Sequence, residues 1–407
     1  MDFDDTSEEA AWRAAVREFV REHRADLGHR SRERGWEDVA VARARQALLY
    51  EGGLVGVTWP VEAGGRGGTP MQQAIVDQEL ARADVPGPVN LIGIGMCGPT
   101  IIVHGSQEQK DRYLARLLRA DDLWCQLFSE PAAGSDLAAL RTRAVRGEDG
   151  AWRITGQKVW TTLAHAADYG IVLTRTDPDV PKHRGLTMFV VDMKAAGVLV
   201  RPLRQMNGSA EFNEVFFDDV VVPDAERLGA PGEGWRVALT TLMSERLSLG
   251  GAGGDIGVPL QRITAHVAGA LAGLPEDRQA LVRQRFGRAA VDSLGVRYTG
   301  YRRLSVLSRG GLPGPEASAG KLAGTRVARD LVDLAVRLLG PDAVLAGDGR
   351  DGGAGWQALA AALPGMAIAG GTDEVLRNII GERVLGLPAE PRADKTMSFR
   401  EAVEGTR

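Results

Sequence analysis

Cysteine is nearly missing from this 407-residue chain, which holds only Cys97 and Cys125. Two thiols make neither a disulfide framework nor a zinc ligand set. They fit a reducing compartment, so the cytoplasm is the expected location. The six histidines are scattered, with no His-Glu-x-x-His spacing, and no metal site is expected. No Ser-His or Cys-His nucleophile spacing stands out either. Long apolar runs are absent: no stretch approaches the roughly 18 residues of a membrane helix. The start, MDFDDTSEEA, is acidic and lacks the apolar core of a signal peptide. Basic excess is also absent, since the formal net charge is −4, so no nucleic acid partner is expected. Phosphate loops are missing too. Gly320-Lys321 is followed by Leu322, and two formal GxGxxG matches, at Gly93–Gly98 and Gly347–Gly352, lack a surrounding βαβ unit.

What is present divides the chain in three, as its length suggests. Thr6 to Glu9 reads as a capping box, and Trp12, Val16, Phe19 and Val20 follow on one helical face. Helices are predicted from about Trp36 to Tyr50, from Thr69-Pro70 to Asp84, from Asn90 to His104, and after a second capping box at Ser106 to Gln109. Glycine pairs and a proline make Gly56 to Gly68 a loop. From about Leu123 to Leu228 the period becomes two, with turn signals of the hairpin kind. Strands are predicted at Thr142–Arg146, Trp152–Ile154, Tyr169–Thr174, Leu186–Asp192, Val198–Leu203 and Glu214–Val222. Helical patterns return at Gly232 and run through Glu245-Arg246, Asp277–Leu307, Glu316–Leu339 and Thr372–Leu385. The expected domains are therefore 1–122 (helical), 123–229 (β) and 230–407 (helical).

Two stretches carry the chemistry. In Cys125 to Asp136, CQLFSEPAAGSD, small residues let backbone N–H groups approach a ligand, and Ser129 and Ser135 offer hydroxyls. In Gly156 to Thr162, GQKVWTT, Trp160 can lie flat on a large heteroaromatic ring while a neighbouring hydroxyl reaches its polar edge. Together they suggest a flat, electron-poor cofactor seated on β structure, its anionic tail running over Gly- and Ser-rich backbone. These stretches, with the Trp59-Pro60-Val61-Glu62-Ala63-Gly64-Gly65 loop between helices, resemble the acyl-CoA dehydrogenase family of flavoproteins, and the resemblance covers almost the whole chain. It implies an α+β fold: an N-terminal helical domain, a central β-barrel or sandwich, and a C-terminal four-helix bundle at the interface of a homodimer or homotetramer. It implies FAD, an acyl-CoA substrate dehydrogenated to the 2-enoyl thioester, and an electron-transfer flavoprotein as acceptor.

Residue by residue, the resemblance assigns Leu127, Ser129, Gly134, Ser135, Trp160, Thr162, Thr372 and Glu374 to FAD. Ser135 and Arg246 go to the CoA region of the substrate. Most of the family carries its base in a Tyr-Glu-Gly-Thr loop. This chain reads Ala369-Gly370-Gly371-Thr372, so Gly370 stands where that Glu would be. A minority of the family uses a Glu-Arg pair on the helix that opens the C-terminal domain, and here that pair is Glu245-Arg246. Glu245 is thus the expected base. Adjacent helical residues point about 100° apart, so Glu245 is free to aim away from Arg246. By the same resemblance, the Gly370 N–H and the flavin 2′-hydroxyl hold the thioester oxygen.

Departures are visible. Phe128 replaces a smaller aliphatic residue, Leu339-Gly340-Pro341 replaces a Gln-x-x-Gly-Gly segment, and Arg283–Gly287, RQRFG, copies an FAD-contacting motif at the wrong spacing. Other readings keep the fold but change the role: a carrier-protein thioester as substrate, a flavin monooxygenase, or a mainly structural subunit in a mixed oligomer with a related chain.

Overall fold

The computed structural model describes residues 4–29, 38–249, 260–311, 314–344, 353–391, 394 and 396–404, with the side chains of 246–249, 353, 354 and 404 outside that description. The N-terminal domain holds α1 (Ser7–Glu22), α2 (Arg24–Leu27), α3 (Val39–Glu51), α4 (Pro70–Arg82), α5 (Gly98–His104) and α6 (Gln107–Arg119). Reciprocal capping boxes start α1, α4 and α6 at Thr6, Thr69 and Ser106. In each, the cap hydroxyl accepts from the third-residue N–H, and that residue's side chain accepts from the cap N–H. The segment expected as one helix from Asn90 is interrupted. Gly93–Cys97 forms a π-helical turn that runs into α5. The formal glycine motif thus lies in a helix with no strand before it. At Gly98 a side chain would strike the buried indole of Trp59, so the Gly56–Gly68 loop packs directly on this helix.

The central domain is one eight-stranded sheet: β1 (Trp124–Leu127), β2 (Arg143–Arg146), β3 (Trp152–Thr162), β4 (Tyr169–Arg175), β5 (Leu186–Asp192), β6 (Val198–Leu203), β7 (Phe212–Val222) and β8 (Arg227–Leu228). Its order is β6-β7-β3-β2-β4-β5-β8, with β1 beside β4. The hairpin signals anticipate antiparallel neighbours, but β4 runs parallel to both β1 and β2. Alternation explains why β4 and β5 are almost wholly buried. Ile171, Leu173, Leu186, Met188 and Val190 join the core of the N-terminal helices. Val172, Phe189 and Val191 face the other way, into a second core shared with Trp152, Ile154, Val215 and Phe217 of β3 and β7. The sheet therefore curls around its own core while lending its other face to the helices.

After the sheet come α7 (Gly234–Leu249), α8 (Leu260–Leu271), α9 (Glu276–Ser308), α10 (Ala317–Leu339), α11 (Gly353–Ile368), α12 (Asp373–Arg383) and α13 (Phe399–Glu404). Helices α8 to α11 share one core built on Ile263, Val267, Ala289, Leu331, Ala335, Trp356 and Leu363, a four-helix arrangement. Helix α7 packs on the π turn, α5 and β5. The chain end then returns to the sheet: Phe399 N–H donates to Val180 O at 2.9 Å, and the Arg175 guanidinium lies 3.6 Å over the Phe399 ring. No helix among the described residues is long and apolar enough to cross a membrane.

Candidate active site

The two motif stretches are knit into one unit. Val159 N–H donates to Ser129 O at 2.9 Å. Lys158 Nζ donates to Phe128 O at 3.0 Å and to Glu130 Oε1 at 2.9 Å. Glu130 also accepts the N–H groups of Arg141 and Thr142, at 2.7 and 2.9 Å. Lys158 is fully buried, and burial pushes its amine down to about 8 despite the attraction of Glu130. Burial alone would raise the Glu130 carboxyl, but Lys158 and the two N–H donors carry it below its ordinary value. Sequence reasoning missed this pair. Its one signal was a lysine inside the otherwise apolar strand run of KVW.

The β3–β7 ladder shifts register between Lys158 and Thr161, and the bulge re-aims Trp160. Trp160 sits at φ +59°, a left-handed conformation that a bulky residue rarely adopts, and its indole is 60% exposed. The Phe212 ring meets it edge-on at 6.0 Å. Beside it, Thr161 Oγ1 is buried without a partner, and Thr162 is half-buried. An exposed indole held in strained backbone, next to an orphaned hydroxyl, is an incomplete arrangement. Ser135 and Gly134 are exposed, with open space on the side where a Gly134 Cβ would stand. A flat heteroaromatic group with an anionic tail fits these residues. Leu127 is different: its side chain fills the sheet core, so any contact it makes with a cofactor is through its backbone.

On α7, Ala238, Thr241 and Glu245 share one face by their i, i+3 and i+7 spacing. Thr241 Oγ1 lies 2.8 Å from Thr100 Oγ1 of α5, so this face looks toward the α5 helix, with Glu245 one turn beyond and half-buried. Arg246 follows on the same helix, and its side chain lies outside the described residues.

The third segment, Gly370 to Glu374, is tied within the C-terminal domain. Gly370 and Gly371 have φ +66° and +93°, and Thr372 caps α12 by accepting the Val375 N–H. Glu374 is at the surface, 3.6 Å from Arg377. Lys321, set aside in the sequence as a failed phosphate loop, reaches this segment from α10 and donates to Ala367 O, Gly371 O and Asp373 Oδ1. The Arg283–Gly287 run lies within α9, where Arg283 donates to Gln279 one turn back. The Gly347–Gly352 match lies outside the described residues.

The class this defines is a flavin-dependent dehydrogenase, built as a helical domain, a sheet and a helical bundle. The chain belongs to the acyl-CoA dehydrogenase family. Its residues 6–121, 125–220 and 232–385 match the acyl-CoA dehydrogenase N-terminal, middle and C-terminal domains in turn. It is 38% identical to the acyl-CoA dehydrogenase IpdE1 of Mycobacterium tuberculosis over 360 residues, 86% of this chain and 89% of that one. With the acyl-CoA dehydrogenase FadE34 of the same organism it shares 42% identity over 351 residues, 84% of this chain but 46% of that protein, so it spans about half of that relative. Among solved structures, the Tcur3481-Tcur3483 steroid ACAD superposes with a TM-score of 0.80 at 28% identity, covering 96% of this chain and 100% of that one. Members of this family are FAD-binding oxidoreductases, as the sequence resemblance implied.

Proposed function

We propose that the chain dehydrogenates a bulky, ring-bearing acyl-CoA between its α and β carbons, with Glu245 as base. Bound FAD supplies the acceptor for the β-hydrogen. Its binding is assigned to Ser129, Gly134, Ser135, Trp160 and Thr162 of the β domain, with Thr372 and Glu374 from the C-terminal segment. Glu245 accepts the α-proton. Enclosed beside an apolar acyl group, a carboxylate has its pKa raised and becomes a stronger base. The backbone N–H of Gly370 donates to the thioester oxygen as negative charge gathers there, and such a donor survives the loss of a side chain at that position. Arg246 and Ser135 hold the CoA portion.

The observation that carries this reading is Glu245 on the α5-facing side of α7, in a chain whose alternative base position is Gly370. The ring-bearing substrate is supported by the superposed steroid enzyme. That two-named complex also supports assembly with a related chain as the alternative to a homodimer or homotetramer. An electron-transfer flavoprotein is the proposed acceptor.

The test is anaerobic. Straight-chain, branched and steroid side-chain acyl-CoAs are added to the wild type and to Glu245→Gln, and flavin absorbance is followed. Bleaching is expected with the ring-bearing thioester, and Glu245→Gln should retain flavin while losing about 10³-fold or more in the rate. Bleaching that survives the substitution overturns the base. Bound flavin inert to every CoA ester points instead to a carrier-bound substrate or to oxygen chemistry.

A further inference from the structure

We propose that Lys321 is a positioning residue for the reaction, fixing the direction of the Gly370 N–H. This rests on the reading of Gly370 as the donor to the thioester oxygen. The Lys321 ammonium has three protons and three acceptors: Ala367 O at 3.2 Å, Gly371 O at 3.0 Å and Asp373 Oδ1 at 3.1 Å. These acceptors bracket Gly370. One lies in the last turn of α11, one is the carbonyl just after Gly370, and one is on the first residue of α12.

The bracket is needed because two glycines in sequence, both at positive φ, offer no side chain by which the link could be held. The Thr372 hydroxyl anchors the helix start rather than the glycines. Helix capping accounts for only part of the lysine: its bond to Ala367 O at the end of α11 is one the macrodipole favours. A cation at a helix N-terminus opposes the macrodipole, and the first turn of α12 is where the ammonium sits. Asp373 offsets that cost, and its other oxygen lies 4.0 Å from Arg329 of α10. One ammonium thus ties the end of α11 to the start of α12, with the backbone of Gly370 held between them. The lysine is 22% exposed and its carboxylate partner 11%, so the clamp closes from the surface side of the domain.

The experiment compares wild type, Lys321→Met and Lys321→Arg, each checked for folding by thermal melting. Amide hydrogen exchange of residues 369–373 is measured in the flavin-free and flavin-loaded proteins. Lys321→Met is expected to exchange about tenfold faster there or more, in both states, with the rest of α12 unchanged. With the acyl-CoA that bleaches the wild type, its kcat should fall about 10- to 100-fold while KM stays within about threefold, a partial version of losing an oxyanion donor. Lys321→Arg should recover to within about tenfold of wild type, since it keeps the charge but holds the three acceptors less evenly. Unchanged exchange in Lys321→Met overturns the proposal, as does faster exchange with unchanged kcat. Glu245→Gln, run in parallel, separates the failures. Activity surviving there refutes the base, whereas unchanged exchange in Lys321→Met refutes the clamp alone.

Discussion

Two lysines hold the two halves of the proposed site, and they work at different depths. Lys158 lies wholly inside the β domain and binds Phe128 O and the Glu130 carboxylate, locking the Ser129 turn to the Trp160 strand. Lys321 lies near the surface of the C-terminal domain and binds two carbonyls and the Asp373 carboxylate around Gly370. Each uses one ammonium to fix a loop through backbone oxygens, with a carboxylate to neutralise it. The difference is in what depends on them. A fully buried pair that loses one member leaves a charge without compensation, whereas Asp373, though itself buried, keeps Arg329 at 4.0 Å when the part-exposed Lys321 is lost. The proposed cofactor half is therefore the more tightly coupled to folding, and the proposed substrate half the less.

Lys158→Met is the strongest way to break this contrast. It strands Glu130, which keeps only its two N–H donors, and the expected loss is about 3 kcal/mol or more of stability. FAD should be lost with it, because the Ser129 turn and the Trp160 bulge no longer share an anchor. Lys321→Met, by comparison, should cost less, about 1–2 kcal/mol, because the lysine is part-exposed and Asp373 keeps Arg329 nearby. Adding Glu130→Gln to Lys158→Met sharpens the test, since it removes the stranded charge and should restore part of the stability but not the FAD. Urea unfolding and flavin content measure both. Equal losses from the two single lysine variants would refute the distinction.

Much of this architecture was legible in the chain. The capping boxes at Thr6 and Ser106 place two helices because each satisfies its own donors locally, and Pro70 opens a third, whose capping box at Thr69 only the structure revealed. Strands such as Leu186–Asp192 and Val198–Leu203 were bounded by their turns. The parallel pairing of β4 with β1 and β2 was not legible, because period two does not say which neighbour a strand takes. The π turn at Gly93–Cys97 escaped too: it packs on α7, and Gly98 just after it lies against Trp59, contacts that only the fold supplies. Both lysines were missed. Lys158 stood inside its motif with no role assigned and Lys321 in a discarded one, and the partners that give each its role are brought there only by the fold. Trp160 was named from its neighbours, but its strained backbone was invisible in the sequence.

That strain allows a second, smaller test. Replacing Trp160 by Gly removes the indole and also the conflict of an L-residue at φ +59°, which costs roughly 1–2 kcal/mol. Glycine's extra freedom in the unfolded chain offsets much of that gain. The flavin-free protein should therefore unfold within about 1 kcal/mol of wild type. FAD affinity should fall by about 30-fold, the equivalent of roughly 2 kcal/mol of lost stacking and apolar contact. Flavin titration and melting of the apoprotein separate the two. Here binding falls while the fold is spared, the reverse of Lys158→Met. A loss of stability matching the loss of affinity would mean that the indole is a packing residue.

The smallest effect is in the pH dependence. Burial holds the Lys158 amine at about 8, against an ordinary value of 10.5. Between those values the unfolded chain binds a proton that the folded chain does not. Stability from this group therefore rises as pH climbs through 8 toward 10.5, by up to about 1 kcal/mol over the first unit. Cys97 and Cys125 oppose it. Burial raises both thiols above their ordinary value of 9.0, so the folded chain keeps protons that the unfolded chain releases, and stability falls above that pH. The raw curve mixes the two signs. The difference between wild type and Lys158→Met from pH 8 to 9 removes the cysteine contribution and should slope upward in favour of wild type. Parallel curves would mean that Glu130 holds the ammonium charged throughout, and that the cofactor half is as well compensated as the surface clamp around Gly370.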